Sequence, residues 1–115
     1  MRVNQMVKDE TELRSIVIKM AEERGWLVFR LPAGNYAASS GNARNRNGVK
    51  GYVRGYPDLT LARNGTVLFF ELKMDGKEPS SEQLRWAAHL PHWYIITPAD
   101  LADDRLQHIF EWYET

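Results

Sequence analysis

The sequence has 115 residues, of which 43% are hydrophobic and 26% charged, as in an ordinary globular protein. It contains no cysteine, which excludes disulfides, thiolate zinc sites and cysteine nucleophiles. With 15 basic and 15 acidic residues the formal net charge is zero, so the overall charge indicates no particular partner. The length predicts one domain, residues 1–115, with a single core.

The charges are unevenly distributed along the chain. The stretch from residue 24 to residue 57 has no acid, and its basic residues are Arg24, Arg30, Arg44, Arg46, Lys50 and Arg54. Such a stretch suits a polyanion, whereas the chain after residue 98 is acidic. No apolar run is long enough to span a membrane, and the polar N-terminus does not resemble a signal peptide. We therefore expect no membrane partner and a cytoplasmic location.

The first predicted helix runs from about Asp9 to Arg24, with Gly25 as its C-terminal cap. Its apolar stripe at helical spacing consists of Leu13, Ile16, Val17, Met20 and Ala21. At about 100° per residue, Glu10 falls near the edge of this stripe and Glu12 points away. Glu10 has two interpretations: it looks along the buried face toward the sheet, or it stabilises the helix N-terminus as a negative charge.

A short apolar strand is predicted from Trp26 to Leu31, and its nearly continuous apolar character favours burial on both faces. Residues 33–54 are rich in glycine, asparagine, serine and arginine and predict a long loop, a kind that is commonly functional or disordered. Basic side chains can pair with phosphates, and tyrosines can stack on exposed bases. We favour a DNA-binding segment over a merely solvated loop. Its candidate contacts are Tyr36, Arg44, Arg46, Lys50 and Arg54.

The chain is organised around a hairpin from Tyr56 to Lys73, in which two apolar runs flank Asn64-Gly65. A two-residue turn at that dipeptide pairs Arg63 with Thr66, and each pair further out keeps the same residue sum. The residues predicted on one face are Leu59, Leu61, Leu68, Phe70 and Leu72. Both faces are mostly apolar, so the hairpin is expected at the centre of a sheet covered by helices.

The same register places Asp58 opposite Glu71 where the hairpin opens, with Lys73 on the same sheet face. Facing carboxylates repel each other and raise the pKa of at least one of them. A divalent cation relieves this repulsion, and Mg²⁺ binds carboxylate oxygens, waters and phosphates. Lys73 would then hold or activate an attacking water. The alternative is an acid at a strand start beside an ordinary Glu–Lys pair, and a β-bulge would break the opposition.

A second helix is predicted from Ser80 to about His89, and Ser80-x-x-Gln83 fits a capping box. Its predicted buried side consists of Leu84, Ala87, Ala88 and Leu90. Residues 93–97 predict the last core strand. Pro98 opens a final amphipathic helix, whose predicted buried residues are Leu101, Leu106, Ile109, Phe110 and Trp112. The order α-β-β-β-α-β-α indicates an α/β domain with a mixed central sheet flanked by helices.

Three strings together resemble the VRR-NUC family of the PD-(D/E)XK nuclease superfamily, in particular its small stand-alone, phage-type members. They are Gly55-Tyr56-Pro57-Asp58-Leu59, Phe70-Glu71-Leu72-Lys73 and Ser81-Glu82-Gln83. The likeness runs from about Asp9 to Ile96, and the glycine before Pro-Asp and the later glutamine make it more specific than a bare motif match.

The resemblance implies the restriction-endonuclease-like fold and a Mg²⁺-dependent endonuclease of branched DNA, such as four-way (Holliday) junctions, in DNA repair. Mn²⁺ would substitute for Mg²⁺. The implied metal ligands are Asp58, Glu71, the Leu72 backbone carbonyl and Glu10, the last directly or through water. Lys73 would orient or deprotonate the water, and Gln83 would lie near that water or the phosphate, a role that competes with its capping role. Small family members also imply a homodimer.

Two alternatives remain. A non-catalytic DNA-binding module of the same fold would be expected to lack one of Asp58, Glu71 or Lys73, and all three are present. A sequence-specific restriction-like endonuclease would depend strictly on a recognition site, and the small size of the chain argues mildly against it.

Overall fold

The computed structural model describes residues 7–31 and 54–115. In chain order these residues form α1 (Glu10–Glu23), β1 (Leu27–Arg30), β2 (Leu59–Arg63), β3 (Thr66–Leu72), α2 (Ser81–Ala87), β4 (Trp93–Ile96), α3 (Pro98–Ala102) and α4 (Arg105–Glu114). The fold is of the mixed α/β class, as predicted. None of the helices in the described residues is long and apolar enough to cross a membrane.

Helix α1 begins and ends where the sequence predicts. Asp9 is its N-cap, and the Asp9 side chain accepts a hydrogen bond of 2.9 Å from the Glu12 backbone N–H. The side chains of Leu13, Val17 and Ala21 are buried, so the predicted stripe is the face that packs on the sheet.

The four strands form one open sheet in the order β1-β2-β3-β4. β2 is antiparallel to both β1 and β3, and β4 is parallel to β3, so the sheet is mixed and the hairpin strands are central. Asn64 and Gly65 both have positive φ angles, 48° and 84°, which the tight hairpin turn of an Asn-Gly pair requires. Arg63 pairs with Thr66 and Leu59 with Phe70, which confirms the predicted register.

The core lies between one face of the sheet and helices α1 and α4. The buried sheet residues on this face are Leu59, Leu61, Leu68, Phe70, Leu72 and Ile96. They pack with Leu13 and Val17 of α1 and with Leu106 and Phe110 of α4. Because side chains alternate along a strand, Glu71 projects from the opposite face of the sheet.

The expectation that β1 is buried on both faces is wrong. Leu27 and Phe29 are 76% and 59% exposed, whereas Val28, which points to the other face, packs against the core. β1 lies at an edge of the sheet, and no helix of the described residues covers Leu27 and Phe29. An apolar run alone does not distinguish such a strand from one that is buried on both sides.

The predicted buried side of the second helix is also wrong. α2 ends at Ala87, no residue of α2 is buried, and Leu84 is 51% exposed. Instead of lying over the core, α2 contacts the segment Arg54–Tyr56 and Glu71. The helix is therefore part of the surroundings of the candidate site.

The predicted final helix is two helices, α3 and α4, separated at Asp104, whose φ of 64° is left-handed. The predicted apolar residues are buried except Trp112, which is 75% exposed, so the prediction for that residue is wrong. The end of α4 is fastened by Glu114. Its carboxylate accepts two hydrogen bonds of 2.9 Å from Arg24 and one of 2.9 Å from the Trp26 indole.

Candidate active site

Asp58 lies at the mouth of the hairpin, fixed from two sides. Its carbonyl accepts a hydrogen bond of 2.9 Å from the Leu31 N–H, which continues the β1–β2 ladder by one pair. Its side-chain Oδ2 accepts a hydrogen bond of 2.9 Å from the Leu72 N–H on β3. The carboxylate is therefore held against the strand that carries Glu71, as the predicted opposition requires.

Pro57 explains how a backbone carbonyl becomes available beside these acids. The hairpin register, continued by two residues, places the buried Pro57 opposite Leu72. In an antiparallel ladder the N–H and C=O of one residue face the same neighbouring strand, so the Leu72 carbonyl faces Pro57. Proline has no N–H and cannot donate to it. The Leu72 carbonyl thus lacks its ladder donor at the place where the resemblance implies a metal ligand.

Glu71 is the buried acid of the site, with only 3% of its surface exposed. Its Oε2 accepts a hydrogen bond of 2.6 Å from the Gln83 side-chain amide. Among the described residues, no donor forms a hydrogen bond to its buried Oε1. Burial, together with the charge and hydrogen bonding of Asp58, raises the pKa of Glu71 to about 9. Without a cation, Glu71 therefore keeps its proton at neutral pH.

Lys73 and Glu10 shift the pKa of Glu71 in opposite directions. Lys73 is half-buried at the end of β3, and its charge lowers the pKa of Glu71. Glu10 is exposed in the first turn of α1, and its charge is the weakest of the named contributions that raise that pKa. Both side chains are thus near enough to Glu71 to influence its charge, and the structure places all four charged site residues around the hairpin mouth.

Gln83 serves two partners at once. Its carbonyl oxygen accepts a hydrogen bond of 2.8 Å from the Ser80 N–H, and the Ser80 hydroxyl accepts one of 3.1 Å from the Gln83 N–H. This is the predicted capping box. The amide nitrogen of the same side chain is free for Glu71. The capping box and the hydrogen bond to Glu71 are compatible because they use different atoms of Gln83, and the position of Gln83 near the water or the phosphate stays a prediction.

Trp86 is a neighbour of the site that has no predicted site role. The Trp86 indole donates a hydrogen bond of 3.0 Å to the Arg54 carbonyl, and its ring lies edge-on to Tyr56 at 4.9 Å. Tyr56 also meets Phe69 of β3 edge-on at 6.3 Å. Trp86 follows Gln83 by three residues, a spacing that puts both on neighbouring positions of one helix surface. That spacing is the signal by which the sequence could have indicated it.

The oxygen atoms gathered at the hairpin mouth suit a hard cation that is held by two carboxylates. Within residues 7–31 and 54–115, no cluster of three or more His, Cys, Asp or Glu side chains is arranged to hold a metal ion. Asp58 and Glu71 nevertheless face each other, with an unpartnered buried oxygen on Glu71 and the Leu72 carbonyl beside them. Hard cations take oxygen ligands of this kind, often with only one or two carboxylates.

Of the predicted DNA contacts, Arg54 is described and exposed, and its guanidinium lies 3.7 Å from the Glu82 carboxylate. Tyr36, Arg44, Arg46 and Lys50 lie outside the described residues. Comparisons with protein-family models, with curated proteins and with solved structures found no match to this chain.

Proposed function

We propose that this protein is a Mg²⁺-dependent endodeoxyribonuclease of the VRR-NUC type within the PD-(D/E)XK superfamily. The observation that carries the proposal is the pair of acids at the hairpin mouth. Asp58 and Glu71 face each other, Glu71 is buried with one oxygen unpartnered, and Lys73 lies beside them. A buried acid whose pKa is strongly raised by burial and by a neighbouring acid is a feature that concentrates at functional sites.

Asp58, Glu71 and the Leu72 carbonyl would hold the cation, with Glu10 directly or through a water. When bound, Mg²⁺ polarises the scissile phosphate and stabilises the charge that develops in the transition state. To act as a ligand, Glu71 has to release its proton, since its pKa is raised to about 9 in the metal-free protein. Gln83 keeps the Glu71 carboxylate oriented by donating to Oε2.

The proposed role of Lys73 is to act on the attacking water. In the proposed hydrolysis the water oxygen bonds to phosphorus, the phosphodiester P–O bond to the leaving oxygen breaks, and that oxygen takes up a proton. Lys73 would orient the water or take the proton that the water loses. Its half-buried position on the Glu71 side of β3 supports this role.

The substrate we propose is branched DNA, such as four-way junctions, with a role in DNA repair. Arg54, next to the site and exposed, would contact phosphate together with Tyr36, Arg44, Arg46 and Lys50. We also propose a homodimer, whose two sites would permit paired cuts, Mn²⁺ as a substitute metal, and a phage origin with action in the host-cell cytoplasm.

The test is cleavage of labelled four-way junction, flap and plain duplex DNA in Mg²⁺, with wild type and Lys73→Ala compared. The proposal expects metal-dependent cutting that prefers the branched substrates and is lost in the variant. Tight binding without cutting in either Mg²⁺ or Mn²⁺ would contradict the nuclease proposal and favour the non-catalytic DNA-binding module. Cutting of duplex only at one sequence would favour a restriction-like enzyme.

A further inference from the structure

We infer that the turn Arg54-Gly55-Tyr56, here called the α2 seat, is a positioning element that sets Gln83 on Glu71. α2 carries Gln83 and yet has no buried residue, so the hydrophobic core does not fix its place. The role of the α2 seat in metal binding and catalysis rests on the proposed function. Its effect on the Gln83–Glu71 hydrogen bond does not.

The first contact of the seat is a backbone approach at Gly55. A Cβ on Gly55 would lie 2.6 Å from the Glu82 carbonyl carbon and 2.7 Å from the Glu82 oxygen. These are backbone atoms of a helix, which cannot swing aside as a flexible side chain could. Gly55 also has a φ of 83°, which side-chain-bearing residues rarely adopt. Since Glu82 directly precedes Gln83, any displacement forced at this contact reaches Gln83 through one peptide bond.

The second contact fixes the other end of α2. The Trp86 indole donates a hydrogen bond of 3.0 Å to the Arg54 carbonyl. The Tyr56 ring makes edge-on contacts with both Trp86 and Phe69. Phe69 lies two residues before Glu71 and therefore on the same sheet face. The seat thus ties α2 to the strand that carries Glu71. The exposed Arg54–Glu82 ion pair adds little, because solvent-exposed pairs of this length are weak.

Two devices therefore place the Gln83 amide. The capping box with Ser80 sets the direction of the side chain, and the α2 seat sets where the helix stands relative to β3. Gly55 and Trp86 act through Gln83, so they are positioning residues. Partners that orient a metal ligand from outside the coordination shell typically change metal affinity by about 10–100-fold when removed.

The experiment compares Gly55→Ala with Gly76→Ala, a matched control. Gly76 has the same φ of 83°, but a Cβ there would meet nothing within 4 Å, so the two variants share the backbone strain and differ in the contact with α2. The first readout is the side-chain amide signal of Gln83 in NMR spectra of the metal-free protein, assigned by its loss in Gln83→Glu. The second is the affinity for Mn²⁺ measured by calorimetry.

We expect Gly55→Ala to move the Gln83 amide signal toward that of a solvent-exposed glutamine and to weaken Mn²⁺ binding about tenfold. Gly76→Ala leaves both as in wild type. A Gln83 signal at the wild-type position in Gly55→Ala overturns the inference. If Gly55→Ala does not fold, Trp86→Phe takes its place, because it keeps a ring against Tyr56 and loses the donor to Arg54; an unmoved signal there is equally contradictory.

The two proposals fail separately. If Gly55→Ala shifts the Gln83 amide signal but the protein neither binds Mn²⁺ nor cuts DNA, the proposed nuclease function is wrong and the inference about the α2 seat holds. If the protein cuts DNA with metal but the Gln83 signal does not move in Gly55→Ala, the inference about the α2 seat is wrong and the proposed nuclease function holds.

Discussion

The Gln83 side chain donates to Glu71 Oε2 over 2.6 Å while its own carbonyl accepts from Ser80, so one residue joins a helix cap to a buried acid. These two hydrogen bonds explain why position 83 carries a glutamine and not the shorter asparagine. A capping box needs an acceptor that reaches back from the third helical position, and Glu71 needs a donor. Of the two residues that complete a capping box, glutamate and glutamine, only glutamine also carries an amide donor.

Gln83→Glu separates these two functions. Glutamate also completes a capping box, so α2 keeps its cap, but the donor to Glu71 becomes another carboxylate. We expect retained helix content and a loss of cleavage of at least about tenfold, the size usual for a partner that orients a metal ligand. The readouts are circular dichroism and junction cleavage.

The control for this variant is Gln107→Glu. Gln107 donates to Glu111 over 3.0 Å on the exposed face of α4, so the same chemical change is made at a Gln–Glu pair away from the site. Cleavage that drops equally in both variants would show that the effect does not depend on Glu71.

The raised pKa of Glu71 makes the stability of the metal-free protein depend on pH. The folded state binds the Glu71 proton up to about pH 9, whereas the unfolded chain releases it near its ordinary value of 4.5. This contribution is therefore complete below about pH 4.5 and is lost as the pH rises through 9. Urea unfolding in EDTA should show wild type losing stability relative to Glu71→Gln between pH 5 and pH 9. A constant difference across that window would contradict the account.

Glu114 should contribute to stability in the opposite pH direction. Hydrogen bonds from Arg24 lower the pKa of Glu114, so its contribution is present above the unfolded pKa and is lost as the pH falls through the folded one. Glu114→Ala should cost about 2 kcal/mol at neutral pH, since it removes hydrogen bonds to a charged group. Glu23→Ala is the control, because its 3.9 Å pair with Lys19 is exposed. Equal losses in both variants would contradict the assigned role of Glu114.

Arg54 should bind DNA through phosphate. Arg54→Ala should weaken binding of all DNA substrates alike and reduce the salt dependence by about one charge contact. Glu82→Gln should strengthen binding, because it releases the guanidinium from its 3.7 Å partner. Lys19→Ala, an exposed cation on α1, serves as the control. Fluorescence anisotropy at several salt concentrations measures all three, and unchanged binding by Arg54→Ala would remove Arg54 from the interface.

The hairpin and the helix caps could be predicted from sequence because their signals are local. Asn64-Gly65 determines the turn, the turn determines the register, and the register brings Asp58 to Glu71. The capping box of α2 is likewise contained within four residues.

The burial of β1 and α2 could not be predicted, because it depends on what packs from elsewhere in the chain. Leu27 and Phe29 have the composition of a core strand, but they lie at a sheet edge on the face away from the core. Leu84 occupies an apolar helix position, but α2 rests on the seat rather than on the core. That Gln83 forms the cap and also donates to Glu71 could not be predicted for the same reason, since it depends on the position of α2 relative to β3.

The most direct test of the central claim is cleavage of a labelled four-way junction by wild type and by Asp58→Asn, each in Mg²⁺ and in EDTA. We expect cutting by wild type in Mg²⁺ only, and a folded Asp58→Asn variant that binds the junction without cutting it. Cutting in EDTA, undiminished cutting by Asp58→Asn, or binding without any cutting by wild type would contradict it.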